Sequence, residues 1–253
     1  MEYFSKGYEI AKRVIVLIII NIIVSLLNFN AIARISSFHG IHFGVKLTFP
    51  KIILDLWDLV SLPRKGFEIM GVSIVPNTSL LMVIVYLIIY IILYSFLSYA
   101  YLVYILKNGL GEPVGAGLNR VLDLIIYSLI FLFIGLAMIS FASLHPSLLV
   151  VSIFILLIIT YFIYAAPFIV VSLDKDVFES INISIKLAKT DTYFKYTLVY
   201  VLIIIIASIP ATILVVNMKI IGLLLAIIPI SFLGLVLTVS TELVIKDLCS
   251  RLQ

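Results

Sequence analysis

The chain has little charge, cysteine or glutamine. Cys249 is its one cysteine, so neither an internal disulfide nor a multi-cysteine metal site can form within one chain. The only glutamine is Gln253, while isoleucine is abundant. That balance is low in thermolabile side chains and points to a thermophilic prokaryote. Charged residues make up 12% of 253 positions and hydrophobic residues 64%, with a mean hydropathy of +1.30. Too few polar side chains remain to cover a soluble globule, which places the chain among membrane proteins. No Walker A sequence, His-Glu-x-x-His motif or pair of carboxylates within an apolar run is present. The expectation is therefore no enzymatic activity, no catalytic residue and no cofactor. The net charge of +4 suits basic cytoplasmic loops and gives no ground for a nucleic-acid partner.

Long apolar runs are what the chain does have. A hydrocarbon core takes roughly 20 apolar residues as a helix, and the runs at about 14–29, 80–106, 121–141, 147–172, 196–216 and 220–243 meet or approach that length. The first is short, but Lys12 and Arg13 flank it and can snorkel. None has an ionisable residue in its interior, which speaks against proton-coupled carriers and intramembrane proteases. Asp123 falls in the first turn of the third run, where the helix dipole favours an anion. Glu242 closes the sixth, with Lys246 one turn on. The expected fold is an all-α polytopic membrane protein, residues 1–253 forming one six-span domain in the plasma membrane.

Orientation follows from lysine and arginine in the short loops. With both termini inside, Lys6, Lys12, Arg13, Lys107, Arg120, Lys175, Lys186, Lys189, Lys195, Lys246 and Arg251 are all cytoplasmic. The 142–146 loop then lies outside with no basic residue, and 217–219 with Lys219 alone. A second reading treats Lys12-Arg13, the first run and Ala31-x-Ala33 as a cleaved signal peptide, which leaves five spans.

Residues 30–79 form a structured segment placed outside, between the first two spans. In "IHFGVKLTF", Ile41, Phe43, Val45, Leu47 and Phe49 alternate with His42, Gly44, Lys46 and Thr48, the period-2 pattern of a half-buried strand. "FEIMGVSIV" repeats it through Met70, Val72 and Ile74. Between them, bracketed by Pro50 and Pro63, an amphipathic helix would carry Lys51, Asp55 and Asp58 on one polar stripe, with Trp57 among Ile and Leu. Strand, interfacial helix, strand is the expected order. His39, His42 and His145 share this side of the membrane. They are candidate zinc or copper ligands, completed by Asp55, Asp58 or Glu68; the plainer reading has no common ligand.

On the other side, "DVFESINISIKLAKTDTYFK" interrupts the apolar sequence at 176–195. As a helix it puts Val177, Phe178, Ile181, Ile185 and Ala188 within one arc of roughly 100°, with acidic residues first and lysines last. This predicts an interfacial cytoplasmic helix over 176–189 feeding the fifth span. "SKGYEIAKR" before the first span and "VGAGLNR" before the third suggest the same lead-in, hence three helical hairpins in pseudo-repeat. The wording "APFIVVSLDKDVFESINISIKLAKTDTYFKY" resembles the six-span membrane-anchor domain of glycerophosphodiester phosphodiesterases and related prokaryotic membrane families. Pro167, Asp174, Val177, Phe178, Ser184, Leu187 and Lys189 carry the likeness over about residues 165–196. Ser180 stands where the family has alanine, and Ile185 where it has an aromatic. The resemblance implies a membrane module without the phosphodiesterase.

In the second span, Tyr86, Tyr90, Tyr94, Tyr101 and Tyr104 lie within about 80° of each other at helical spacing. They would line a groove for a lipid or amphipathic solute, or else serve helix packing. Pro210 and Pro229 can kink adjacent spans. The functional expectation is a non-enzymatic membrane module working with a protein partner or a second copy in transport or envelope assembly. The alternatives are a permease for an amphipathic or lipid-like solute, including the membrane subunit of an ABC exporter, and an outer-face metal-binding protein. The bilayer is a partner in every case.

Overall fold

The computed structural model describes residues 2–63, 68–69, 72–73, 80–111 and 117–252. It is a helical protein: α1 (Glu2–Arg13), α2 (Ile18–Leu27), α3 (Phe29–Ser37), α4 (Leu80–Tyr104), α5 (Leu118–Ser143), α6 (Pro146–Ile163), α7 (Ala166–Ser172), α8 (Val177–Ala188), α9 (Asp191–Thr212) and α10 (Lys219–Leu252). Among the described residues, five helical stretches are long and apolar enough to cross a membrane: Val85–Leu110, Leu118–Ser143, Ser147–Ser172, Asp191–Asn217 and Lys219–Leu252. The pair Glu2–Arg13 and Ile15–Leu27, bent by 85°, supplies a sixth if counted as one span. This is a multi-pass membrane architecture.

The chain divides into two compact units, Met1–Tyr90 with Tyr196–Thr241 and Ile91–Lys195 with Glu242–Gln253. In the first, the expected lead-in is helix α1, which turns sharply into the first apolar run. Its small residues Gly7 and Ala11 are buried. A Cβ at Gly7 would lie 2.1 Å from Ser240 Oγ, so α1 and α10 approach closely there. Phe4 stacks on Tyr196 at 5.1 Å, and Tyr8 meets Phe232 edge-on at 5.7 Å. Beyond α2 the chain breaks at Asn28, whose side chain accepts from Ala31 N and caps α3.

Residues 38–63 correct the expected strand–helix–strand. The 41–49 stretch is extended but pairs with no strand among the described residues. The 50–63 stretch is irregular apart from one 3-10 turn, Leu56–Asp58. In "FEIMGVSIV" the described residues Glu68–Ile69 (β1) and Val72–Ser73 (β2) pair antiparallel with each other. Met70 and Ile74 lie outside the described residues.

In the second unit α5 packs on α6, α8 closes against both, and α7 packs on α5 and α8. Pro167 opens the short helix α7, which closes the Ser147–Ser172 stretch. α8 is the expected helix, and Asp176 Oδ1 caps it by accepting from Phe178 N and Glu179 N at 2.9 Å. Its protein-facing side is rotated from the expected arc. Val177, Ser180, Ser184, Leu187 and Ala188 are buried, Ile181 and Ile185 are half-buried, and Phe178 is exposed. Ser184 Oγ donates to Phe162 O at 2.7 Å, and Tyr161 OH to Ala188 O at 2.8 Å. Small hydroxyl residues let α8 approach, while Phe178 stays exposed. Ser184→Asp is therefore expected to destabilise by about 2 kcal/mol or more, since it buries a charge. The exposed Asn182→Asp should stay within about 0.5 kcal/mol. Thermal unfolding of the two variants checks this.

The third lead-in, "VGAGLNR", lies partly outside the described residues, and Leu118–Arg120 already belong to α5. Arg120 ties α5 to the α7–α8 link: Nε donates to Asp174 Oδ1 at 2.6 Å, Nη2 to Asp174 O at 2.7 Å and Nη1 to Asp123 Oδ2 at 2.9 Å. The guanidinium hydrogen bond holds the Asp174 carboxyl below the usual carboxylate range. Asp174 itself has a positive φ of 54°, an uncommon backbone for a non-glycine residue.

Candidate functional site: a charged hairpin inside the first unit

The extended stretch enters the first unit alongside α9. His42 N donates to Asn217 Oδ1 at 2.9 Å, and Asn217 Nδ2 donates back to His42 O at 3.2 Å. Lower down, Lys46 N donates to Ser208 Oγ at 2.8 Å. At 1.5 Å per helical residue, Ser208 is about 13 Å below Asn217. The chain then turns and returns. Ser61 N donates to Thr212 Oγ1 at 2.9 Å, and Thr48 Oγ1 on the descending leg donates to Asp58 O at 2.8 Å. The legs touch at Gly44, where a Cβ would lie 2.4 Å from Ser61 Oγ. Side chains of the Asp191–Asn217 stretch thus serve part of this backbone as a neighbouring strand would.

The alternation in 41–48 is real, with a polarity opposite to that expected. Ile41, Phe43, Val45 and Leu47 are 92%, 67%, 47% and 47% exposed, whereas His42, Gly44, Lys46 and Thr48 are half-buried. In water this would be an inside-out strand. Beside helices that cross a bilayer it is the favoured arrangement, because lipid accepts apolar side chains and non-helical backbone must face protein.

The turn of the hairpin is the densest part. Ile52, Ile53, Leu54, Leu56, Trp57, Leu59 and Val60 are all buried. Leu56 N donates to Ser25 Oγ at 3.0 Å, and the Trp57 indole to Ser25 O at 2.6 Å. From α10, Thr238 Oγ1 donates to Ile52 O at 2.9 Å. Gly234 leaves room for Leu54 O, which a Cβ would meet at 2.5 Å. Thr238 stands about 28 Å along α10 from Lys219, close to the roughly 30 Å of a hydrocarbon core. The hairpin therefore runs through most of the depth of the helices that hold it.

Four charged residues travel with it. Asp55 and Asp58 cap the 3-10 turn reciprocally: Asp55 N donates to Asp58 Oδ2 at 2.9 Å, and Asp58 N to Asp55 Oδ1 at 3.1 Å. Lys51 Nζ pairs with Asp58 Oδ2, and Lys46 Nζ donates to Trp57 O. The Lys46 charge also acts on both carboxylates. With all four ionised their formal charges cancel, which is what makes burial tolerable. Nearby, Asn21 Nδ2 donates to Ser231 O at 3.1 Å. Asn21 Oδ1 and Ser231 Oγ, both on fully buried residues, find no hydrogen-bond partner among the described residues.

Lys51, Asp55 and Asp58 were expected together, on a helical stripe at an outer surface. They do meet, through a capped turn inside the unit, and with Lys46. The apolar runs themselves carry no ionisable residue in their interiors, as expected; the fold adds these four from the segment between the first two runs. Glu242 is fully buried, and α10 continues beyond it to Leu252.

The other candidates lie elsewhere. His39 is exposed, with Nδ1 at 2.9 Å from Ser37 O. His42 meets the Phe38 ring edge-on at 6.0 Å, and exposed His145 accepts from Ser147 N at the start of α6. Among the described residues no group of three or more His, Cys, Asp or Glu side chains is placed to hold a metal, so the three histidines form none. Of the tyrosines, Tyr86 is exposed and stacks on Tyr90 at 6.4 Å. Tyr94 is half-buried, Tyr101 is fully buried, and Tyr104 lines an open cleft at the end of its helix. Comparison with protein-family models, curated proteins and solved structures gave no match.

Proposed function

We propose that the chain is a non-enzymatic transport protein of the plasma membrane, with the 41–61 hairpin as its working element. The observation that carries this is the Lys46–Lys51–Asp55–Asp58 network on non-helical backbone between membrane helices. A half-buried ion network is a poor source of stability, and ionisable residues at membrane depth mark ion and substrate paths. Irregular backbone at that depth is tolerated where it is packed in protein or lines a cavity. The unsatisfied oxygens of Asn21 and Ser231 add acceptors beside the turn. Transport is favoured over envelope assembly on this ground, with the charged network moving protons as it opens. The likeness of 165–196 to phosphodiesterase membrane anchors fits a membrane module and leaves its cargo open. A partner protein, such as the ATPase of an exporter, or a second copy would complete it.

Purified protein in liposomes holding a lumenal pH dye tests this. Under an imposed potassium diffusion potential, proton entry should exceed that of empty vesicles several-fold, and Asp55→Asn should abolish the excess. Entry equal to that of empty vesicles, or unchanged by Asp55→Asn, would overturn the reading.

The proposed orientation, both termini cytoplasmic, rests on the basic loops. In a Cys249→Ser background, a cysteine at exposed Ser143 is expected to react with an impermeant maleimide in intact cells, and one at exposed Asn182 only after lysis. The reverse pattern would invert the topology.

A further inference from the structure

The second unit carries a cleft of about 510 Å³ at the end of the Val85–Leu110 helix and the start of α5. That is within the roughly 300–1,000 Å³ of ligand-sized sites. Phe96, Val103, Leu118 and Val121 form its apolar wall, and Lys107 and Asn108 stand at its polar end. Phe96 and Leu118 are 56% and 77% exposed, so the wall opens outward. The residues around Lys107 form a π-helical turn, Ile105–Leu110, closed by Gly111 at φ 70°. Such turns widen a helix locally and recur at binding sites. The Lys107 side chain is exposed and makes no ion pair among the described residues, whereas Arg120 is bound to Asp123 and Asp174, and Lys175 to Glu179.

We infer that this cleft binds an anionic phospholipid of the bilayer, the phosphate on the Lys107 ammonium and an acyl chain along Phe96, Val103, Leu118 and Val121. The charge selects the occupant. A membrane-spanning helix ends here, so headgroups lie at the level of Lys107, and an ammonium beside an apolar wall matches a phosphate above a hydrocarbon chain. A zwitterionic lipid also brings a phosphate, but its own ammonium competes with Lys107 for that charge and no net anion is left to attract the site. The inference is independent of the transport reading, since it uses other residues and equilibrium binding.

Native mass spectrometry of the detergent-purified chain, offered equal amounts of phosphatidylglycerol and phosphatidylcholine, tests it. The wild-type chain should retain phosphatidylglycerol about five-fold or more over phosphatidylcholine. Lys107→Gln, a change at an exposed position, should bring that ratio close to one. Leu118→Glu, also exposed, sets a carboxylate where the acyl chain lies and should lower the retention of both lipids. Equal retention of both lipids by the wild type, or an undiminished preference in Lys107→Gln, would overturn the site.

Discussion

Asp58→Leu is expected to destabilise the protein by about 3 kcal/mol. Removing one member of a buried ion pair costs roughly 3–5 kcal/mol. The lower figure applies because the side chains of Lys51 and Asp58 remain 31% and 15% exposed. The substitution takes the carboxylate from the Lys51 ammonium and the acceptor from Asp55 N together. Adding Lys51→Met should restore more than half of the loss, because two apolar side chains suit the surroundings better than one ammonium alone. Asp191→Ala provides the contrast. Its partner Lys195 and Asp191 itself are 72% and 75% exposed, and such pairs contribute between zero and about 1 kcal/mol. Denaturation in mixed micelles measures all four proteins. Equal effects at positions 58 and 191 would mean that the hairpin is as solvated as the surface.

The second large effect is expected at Gly234. A leucine there directs its Cβ to within 2.5 Å of Leu54 O and 3.2 Å of Asn21 Nδ2. The nearer atom is backbone and cannot swing aside. Overpacking of this kind typically costs 1–3 kcal/mol and occasionally more; Gly234→Leu should reach about 3 kcal/mol and lift the hairpin from α10. Trp57 is the only tryptophan and is buried in the turn, so its emission should shift to the red. Gly135 is the control. A Cβ at that position meets nothing within 4 Å, and Gly135→Ala should stabilise by up to about 1 kcal/mol through helix propensity alone. Unchanged Trp57 emission in Gly234→Leu would show that the turn does not rest on α10.

The helices were legible because each is a long apolar run, and the structure extends the expected limits by a few residues at most ends. The hairpin was not legible, for a physical reason. Alternation in 41–48 says that two faces differ, but not which one meets protein. The assumption that the apolar face is buried holds in water and fails beside lipid. A signal was nonetheless present. Ser231, Gly234 and Thr238 form a small, polar column on α10, as do Ser208 and Thr212 on α9. Such a column marks where backbone can approach a membrane helix. The grouping of Lys51, Asp55 and Asp58 could be read through helical spacing, although a capped turn is what brings them together. Lys46 was assigned to a separate strand, and only the fold-back at Pro50 joins it to the others. The rotation of α8 has a related origin: Ser180 and Ser184 were counted as polar, yet their small size is what buries them.

The anchoring of the hairpin also orders events during synthesis. His42 bonds to Asn217 across 175 positions, Lys46 to Ser208 across 162, and Thr238 to Ile52 across 186. The ribosome therefore delivers the hairpin long before the helices that satisfy its backbone. At some 5–20 residues per second, this leaves an interval of roughly 10–40 seconds with those partners unmade. Hydrocarbon does not tolerate the unmet amides meanwhile. The segment must wait in water or at the headgroups and enter only after α9 and α10 have inserted. Its seating is the last long-range step of assembly, and a chain stopped before residue 208 has nowhere to put it.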